Sequence, residues 1–233
     1  MRVVDCSHYF DSAMPLMDGI ERPEFTELAT VERDGYAMSR YAFTNHSGTH
    51  IDAPAHQIDG GATLDEIPLT RLVTDAAVFD VRSHAPGPVG VEDLRERIAG
   101  VRPNDLVLFC SGNDRNWGTG AYWKEWCYPD AEASRALIDR GVSGVGFDGP
   151  SADPVDSVTY ELHRIWLSAG RVILENLRSL TVLPARCTIV CAPLKVRKAN
   201  GGPVRVLALV EDGDGEAVGG QAFKSSFADG VAP

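Results

Sequence analysis

The chain has 233 residues, of which 44% are hydrophobic and 24% charged, and these values fit one large folded domain. A formal net charge of −11 repels both a phosphate backbone and an anionic membrane surface, so neither nucleic acid nor a membrane is an expected partner. The opening MRVVDCSHYF lacks the basic start and long apolar run of a signal peptide, and no later apolar run approaches about 20 residues. The sequence therefore predicts a cytoplasmic protein.

In the first half of the chain, apolar segments bounded by turn residues predict strands. These strands are residues 2–10, 36–43, 74–81 and 105–112. The segment 11–25 is rich in Pro, Gly and acidic residues and therefore predicts a loop. The run GVEDLRERIAG, residues 90–100, predicts a helix between two glycines.

The second half continues the alternation of helices and strands. The predicted elements are helices over 130–141 and 156–170 and strands over 142–151, 171–177, 188–196 and 201–210. Residues 214–233 have no apolar period and are interpreted as a C-terminal tail after a single domain, 1–213. The predicted fold class is mixed α/β, with helices packed on a mixed β-sheet.

The five cysteines are odd in number and show no CxxC spacing, which argues against a disulfide framework and against a thiolate zinc site. We interpret them as reduced. Cys127, in KEWCYPD, is a candidate exposed nucleophile, but no base lies near it in sequence, so a buried, unreactive thiol is the preferred interpretation.

The segment NHSGTHIDAPAH, residues 45–56, holds three of the six histidines. His46, Gly48, His50 and Asp52 are spaced by two, so an extended strand places them on one face, whereas a helix would scatter them. Two imidazoles and a carboxylate on one face predict ligands for a divalent metal, with Gly48 leaving room for the ion. The alternative is a solvated polar strand.

The same segment resembles the HxGTHxDxPxH motif of the cyclase superfamily, which includes bacterial kynurenine formamidase and isatin hydrolase. The likeness continues in DCSHYFDSAMPLMDG, DLVLFCSGN, GVSGVGFDGPSAD, HRIWLSAGRVILENL and GPVRVLAL, and so covers most of residues 3–210. The resemblance implies a single domain of the swivelling β/β/α type that hydrolyses its substrate with the help of a metal.

The resemblance also implies a ligand set, in which a later histidine and a glutamate complete the site. The matching positions are His46, His50, Asp52, His163 and Glu175. It implies zinc or manganese, as one ion or two, and assigns His56 the role of general base and acid. Without the resemblance, His163 would be interpreted as a surface helix residue and Glu175 as a solvated strand residue.

The predicted reaction is hydrolysis of a C–N bond in a small amide, formamide or lactam. Met17 stands where the formamidase-like sequences have an aromatic residue at the substrate, and this departure counts against kynurenine formamidase itself. We predict Met17 and Trp117 as substrate contacts, and His8 and Ser151 as residues that support the ligands. Asp148 and Asp153, in FDGPSAD, either line the site or form a turn.

Two other functions stay open at this stage. One is a metal-dependent cyclase or dehydratase that acts on a small biosynthetic intermediate, and the other is a binding module without turnover. His56 argues against the module, because a pure binding site has little need of a free imidazole beside its metal. A homo-oligomer, either a dimer or a tetramer, is expected in each case.

Overall fold

The computed structural model describes residues 1–211 and 217–218. The strands in this part are β1 (Arg2–Asp5), β2 (Glu24–Ala29), β3 (Met38–Ala42), β4 (His50–Asp52), β5 (Val73–Asp80), β6 (Gly87–Val89), β7 (Leu106–Cys110), β8 (Cys127–Pro129), β9 (Gly144–Phe147), β10 (Val172–Glu175), β11 (Arg186–Pro193) and β12 (Gly201–Val210). The α-helices are α1 (Val31–Asp34), α2 (Leu69–Leu72), α3 (Val91–Gly100), α4 (Ala131–Asp139) and α5 (Glu161–Ser168).

Eight of the strands form one mixed sheet in the order β1-β12-β11-β5-β7-β9-β10-β4. Strands β5, β7, β9 and β10 run parallel, and β11, β12, β1 and β4 pair antiparallel with their neighbours. Strand β4 also pairs with β12, so the sheet closes on itself in a barrel-like arrangement. The closing pair joins residues about 150 positions apart in sequence, since Gly201 lies opposite Asp52.

The closed sheet separates two hydrophobic clusters, as alternation along β7 shows. Leu106, Leu108 and Cys110 belong to one cluster, whereas Val107 and Phe109 belong to the other. Side chains that alternate along a strand point to opposite faces, so both faces of this strand are buried.

The three longer helices cover one of these faces, and the short helix α2 places Leu72 in the other cluster. Helices α3, α4 and α5 lie in the crossover connections between the parallel strands and contribute Leu94, Leu137 and Trp166 to the cluster of Phe109 and Phe147. Parallel strands require such crossovers, and the helices shield the outer face of the sheet. No helix in the described residues has the length and apolarity needed to cross a membrane.

A two-stranded hairpin of β2 and β3, with α1 at its tip, stands apart from the main sheet. Its strands are exposed at every position except Ala29. The sequence analysis placed residues 11–25 in a loop and so missed the start of β2 at Glu24. The short pair of β6 and β8 was also not predicted.

The predicted mixed α/β fold is confirmed, and most predicted elements occur with shorter bounds. The third large helix begins at Glu161 rather than within 156–160, because that segment forms turns and bends. Most of the proposed tail 214–233 lies outside the described residues. Within the described part, the Val218 amide donates to Leu183 O at 2.7 Å and Arg82 donates to Val218 O at 2.8 Å.

All five cysteines are buried, and none forms a disulfide. Burial raises the pKa of Cys127 to about 11 and that of Cys191 to about 12, and it also raises the pKa of Cys6 and Cys110. A thiol of this kind is rarely ionised near neutral pH and is therefore a poor nucleophile.

We expect the native protein at pH 8 to react slowly with a thiol-specific reagent, because all five thiols are buried. Unfolding in guanidinium should make all five react at once. The measurement is reagent absorbance against time, with and without denaturant. Rapid labelling of Cys127 in the native protein would contradict the assignment of an inert thiol.

Candidate metal centre

The histidine segment is not one straight strand. The prediction that residues 46–52 form one extended strand, with alternate side chains on one face, is therefore wrong. Strand β4 covers only His50–Asp52, and the chain bends before it, with Gly48 at φ 60°. Residues other than glycine rarely adopt this left-handed backbone conformation, which explains why a glycine occupies this position. A Cβ on Gly48 would lie 2.9 Å from Phe10 Cδ2, so the glycine makes room for that ring and not for a metal ion.

The bend nevertheless brings His46 onto the carboxylate of Asp52. His46 Nδ1 lies 2.6 Å from Asp52 Oδ1, and its Nε2 lies 3.1 Å from Asn200 Oδ1. Room for the ring comes from Gly201 in β12, because a Cβ there would lie 2.5 Å from His46 Cε1. The closing strand pair of the sheet therefore shapes the site.

Strand pairing places Glu175 beside His50. These two residues are direct partners in the register of β4 and β10, and their side chains meet with His50 Nε2 3.4 Å from Glu175 Oε2. The same imidazole nitrogen lies 3.4 Å from Asp52 Oδ1. All three side chains are at least nine-tenths buried.

His163 reaches the same point from helix α5. Its Nε2 lies 3.2 Å from Glu175 Oε1 and 3.6 Å from Asp52 Oδ2. The residue is buried, so the interpretation of His163 as a surface helix residue does not apply, and neither does that of Glu175 as a solvated one. The site thus gathers side chains from the histidine segment, the fifth helix and the tenth strand.

His56 lies beside this group, at the end of a 3₁₀ turn formed by Pro54–His56. Its ring centroid is 3.9 Å from that of His46 and 6.0 Å from that of His163. Burial lowers the pKa of His56, and repulsion from His46 and His163 lowers it further against the attraction of Asp52. The ring is therefore neutral near pH 7 and able to accept a proton.

The charges of the cluster fit a divalent cation. Burial alone lowers the pKa of His50, but the Asp52 and Glu175 carboxylates outweigh it and raise that pKa to about 9. His163 behaves in the same way, because Asp153, Asp52 and Glu175 hold its pKa well above the usual value. Carboxylates that retain protons on neighbouring imidazoles will also attract a cation in place of those protons.

One carboxylate oxygen of the cluster, Asp52 Oδ2, is a candidate contact for a cation. Asp52 Oδ2 is buried and accepts no hydrogen bond within the described structure, and the His163 Nε2 that faces it lies 3.6 Å away. A buried carboxylate oxygen without a hydrogen bond is costly. Two groups share this carboxylate, one with His46 and His56 and the other with His50 and Glu175, and the ligand atoms of each group lie within 4.8 Å of one another. Imidazole and carboxylate donors suit zinc and manganese.

Of the other predicted residues, His8 connects Trp117 to the histidine segment. His8 stacks on Trp117 with ring centroids 3.8 Å apart, and its amide donates to Thr49 Oγ1, next to His50 in sequence. Met17 is half-buried in a turn closed by a hydrogen bond from Ile20. Their roles as supporting residue and substrate contacts stay predictions.

Ser151 is buried in the loop that follows β9. Its Oγ accepts from the Asp153 amide at 3.2 Å, and its carbonyl accepts from Trp126 Nε1 at 2.8 Å. The Trp126 side chain is buried in the hydrophobic core. Asp148, in the same loop, is buried and accepts from the amides of Ser111 and Gly112, and burial raises its pKa to about 7.

Two asparagines of the centre were missed by the sequence analysis. Asn176 Nδ2 donates to Gly48 O at 2.8 Å, and the same carbonyl lies 3.0 Å from His50 Nδ1. Asn200 contacts His46, as described above. Asn176 directly follows Glu175 and has φ 58°, but neither asparagine stands in a pattern that indicates a role.

Several known proteins resemble this chain in sequence. The family described as "Putative cyclase" matches residues 4–154, which is more than half of the chain. A kynurenine formamidase from Salinibacter ruber is 31% identical over 226 residues, covering 89% of this chain and 97% of the relative. A kynurenine formamidase from Erythrobacter litoralis is 28% identical over 210 residues, covering 88% and 93%.

Solved structures of two isatin hydrolases also resemble this chain in fold. Isatin hydrolase A from Labrenzia aggregata, bound to benzyl benzoate, superposes with a TM-score of 0.82 at 26% identity, covering 90% of this chain and 94% of that one. Isatin hydrolase A from Ralstonia solanacearum has a TM-score of 0.79 at 27% identity, covering 90% and 92%. Fold and site together define a metal-dependent hydrolase. The chain belongs to the cyclase family.

The contact between Gly201 and His46 gives a test of the site. Gly201→Ala should displace the His46 ring, because the new methyl group would lie 2.5 Å from His46 Cε1 and 2.7 Å from Ile51 O. We expect this displacement to lower zinc affinity at least ~10-fold. The matched control is Gly202→Ala, whose Cβ meets nothing nearer than Leu64 Cδ2 at 3.8 Å. Chelator competition measures the affinity. Equal affinities in the two variants would contradict this geometry.

Proposed function

We propose that this protein hydrolyses the C–N bond of a small amide, formamide or lactam with the help of one or two divalent cations, zinc or manganese. The observation that carries the proposal is the convergence of two carboxylates and three imidazoles on one buried point, with a fourth imidazole beside them. In the proposal the ligands are His46, His50, Asp52, His163 and Glu175.

A divalent cation in this site would polarise a carbonyl group and lower the pKa of water. The residues of the chain supply the remaining requirements. Glu175 and Asp52 provide the negative charge that retains the cation, and burial of both side chains excludes bulk water from it. A neutral His56 accepts a proton from the attacking water and returns it to the departing nitrogen, which an imidazole with a pKa below its usual value can do at neutral pH.

The substrate proposal follows from the relatives. Kynurenine formamidases and isatin hydrolases are named for small substrates, so we propose a small amide-type compound for this protein. Trp117 and Met17 are the proposed apolar contacts for it. The half-buried Trp117 ring, already stacked on His8, offers a flat surface to an aromatic group. A methionine at position 17 would adapt to several ring shapes.

A second candidate function uses the same site for a reaction that releases water instead of adding it. A cyclase or dehydratase would release water while it closes a ring or forms a double bond. Incubation of candidate amides, lactams and open-chain keto acids in ¹⁸O-labelled water separates the two, because hydrolysis incorporates the label into the product. Unchanged ligand after long incubation with zinc or manganese would instead favour a binding module.

The role of His56 is tested by His56→Ala. We expect turnover of a hydrolysed amide to fall by about 10²–10⁴-fold, because a general acid and base typically contributes that much. Zinc content should remain near that of the wild type, as measured by elemental analysis. His84→Ala, which changes a histidine in the turn after β5, is the control and should leave both quantities unchanged. Near-normal turnover in the His56 variant would remove this residue from the mechanism.

We also propose a homo-oligomer, supported by the exposed hairpin of β2 and β3. An isolated two-stranded hairpin is only marginally stable in water, and this one presents large apolar side chains to solvent. They include Phe25, Leu28, Val31, Tyr36, Met38 and Tyr41, all at least 44% exposed. A second copy related by a twofold axis would cover the same surface on both chains.

Tyr41→Glu tests this arrangement. A charge at this position should disfavour burial and shift the protein toward the 25.1 kDa monomer, as measured by light scattering coupled to size-exclusion chromatography. Val158→Glu introduces the same charge at an exposed apolar residue outside the hairpin and should leave the mass unchanged. A monomeric wild type would overturn the proposal.

We propose the cytoplasm as the compartment of this protein. None of the five cysteines forms a disulfide, and thiols in this number suit a reducing environment.

A further inference from the structure

The loop between β9 and α5 contacts two of the proposed ligands, Glu175 and His163. The amide of Ala152 donates to Glu175 Oε1 at 3.0 Å, and the Asp153 carboxylate lies against His163. The loop is itself fixed at its start, where Asp148 accepts hydrogen bonds from Ser111 and from the Gly112 amide. It is therefore a rigid support and more than a simple turn.

Asp153 makes three contacts with the first turn of α5. Its Oδ1 accepts from the Leu162 amide at 2.9 Å, and its Oδ2 accepts from the His163 amide at 2.9 Å. The same Oδ2 lies 2.6 Å from His163 Nδ1. Because two backbone amides fix the orientation of the carboxylate, it is held in place to receive a proton from the imidazole.

We propose that Asp153 is a positioning residue that fixes the His163 imidazole with its proton on Nδ1 and its Nε2 free for the cation. The inference rests on the proposed role of His163 as a ligand. A carboxylate is an acceptor only, so the nitrogen that faces Asp153 must carry the proton, and the opposite nitrogen then has its lone pair available. That opposite nitrogen is the one that lies 3.2 Å from Glu175 and 3.6 Å from Asp52.

The matched pair of variants is Asp153→Ala and Asp130→Ala. Asp130 caps α4 by accepting from the Ala133 amide at 2.7 Å, and that contact involves no imidazole. Both variants remove a helix cap and should lower the melting temperature of the metal-free protein. Only Asp153→Ala removes the acceptor of His163 Nδ1, and we expect its zinc affinity to fall by ~10–100-fold. Asp130→Ala should keep the affinity of the wild type.

Asp153→Asn is the conservative variant and covers the case in which Asp153→Ala does not fold. Its amide keeps one acceptor oxygen where the carboxylate had two, so its zinc affinity should lie between those of the wild type and the alanine variant. In addition, histidine-selective ¹⁵N NMR of the zinc-loaded wild type should show a proton on His163 Nδ1 and none on Nε2. Chelator competition and NMR both report on zinc binding without using turnover.

The outcomes separate this inference from the proposed function. Wild-type zinc affinity in both Asp153 variants, or zinc bound to His163 Nδ1, would overturn the inference and leave the proposed hydrolase untouched. Zinc binding that depends on Asp153, in a protein that hydrolyses no amide, formamide or lactam, would overturn the proposed function and support the inference. A wild type that takes up neither zinc nor manganese would overturn both.

Discussion

The site depends on the burial of Asp52 and Glu175 next to each other in the closed sheet. Two buried carboxylates repel one another and lose their hydration, so they persist only with compensating positive charge. His50 and His163 supply it by retaining protons, and the raised pKa of each is the consequence. A divalent cation is a stronger compensation, which explains why this arrangement suits a metal-dependent hydrolase of the cyclase family.

The proposed ligands could be named from the sequence because they lie in two segments that resemble the motifs of the family. His46, His50 and Asp52 stand in one motif, and His163 and Glu175 in another, and the side chains of both motifs meet in the structure. The geometric reason was partly wrong, since the chain bends at Gly48. A period of two describes a straight strand and carries no information about a glycine with positive φ.

Other features could not be predicted, for a different physical reason. The contact of Gly201 with His46 joins positions 155 residues apart, and no local pattern records it. Strand β2 was missed because strand prediction relies on one buried face, and β2 is exposed at every position except Ala29. Its partner β3 lies within the predicted strand 36–43. The sequence left Asp153 open between lining the site and forming a turn, because aspartate is common in turns and its contact with His163 depends on the tertiary fold.

The closing pair of β4 and β12 has a consequence for biosynthesis. The pocket around His46 needs Gly201 in place, and the strand that carries Gly201 lies near the end of the chain. During translation, the early histidines therefore leave the ribosome long before the residues that enclose them. Contacts of such large sequence separation form slowly, so the newly made chain must pass through a stage in which these histidines are exposed to any cation in its surroundings.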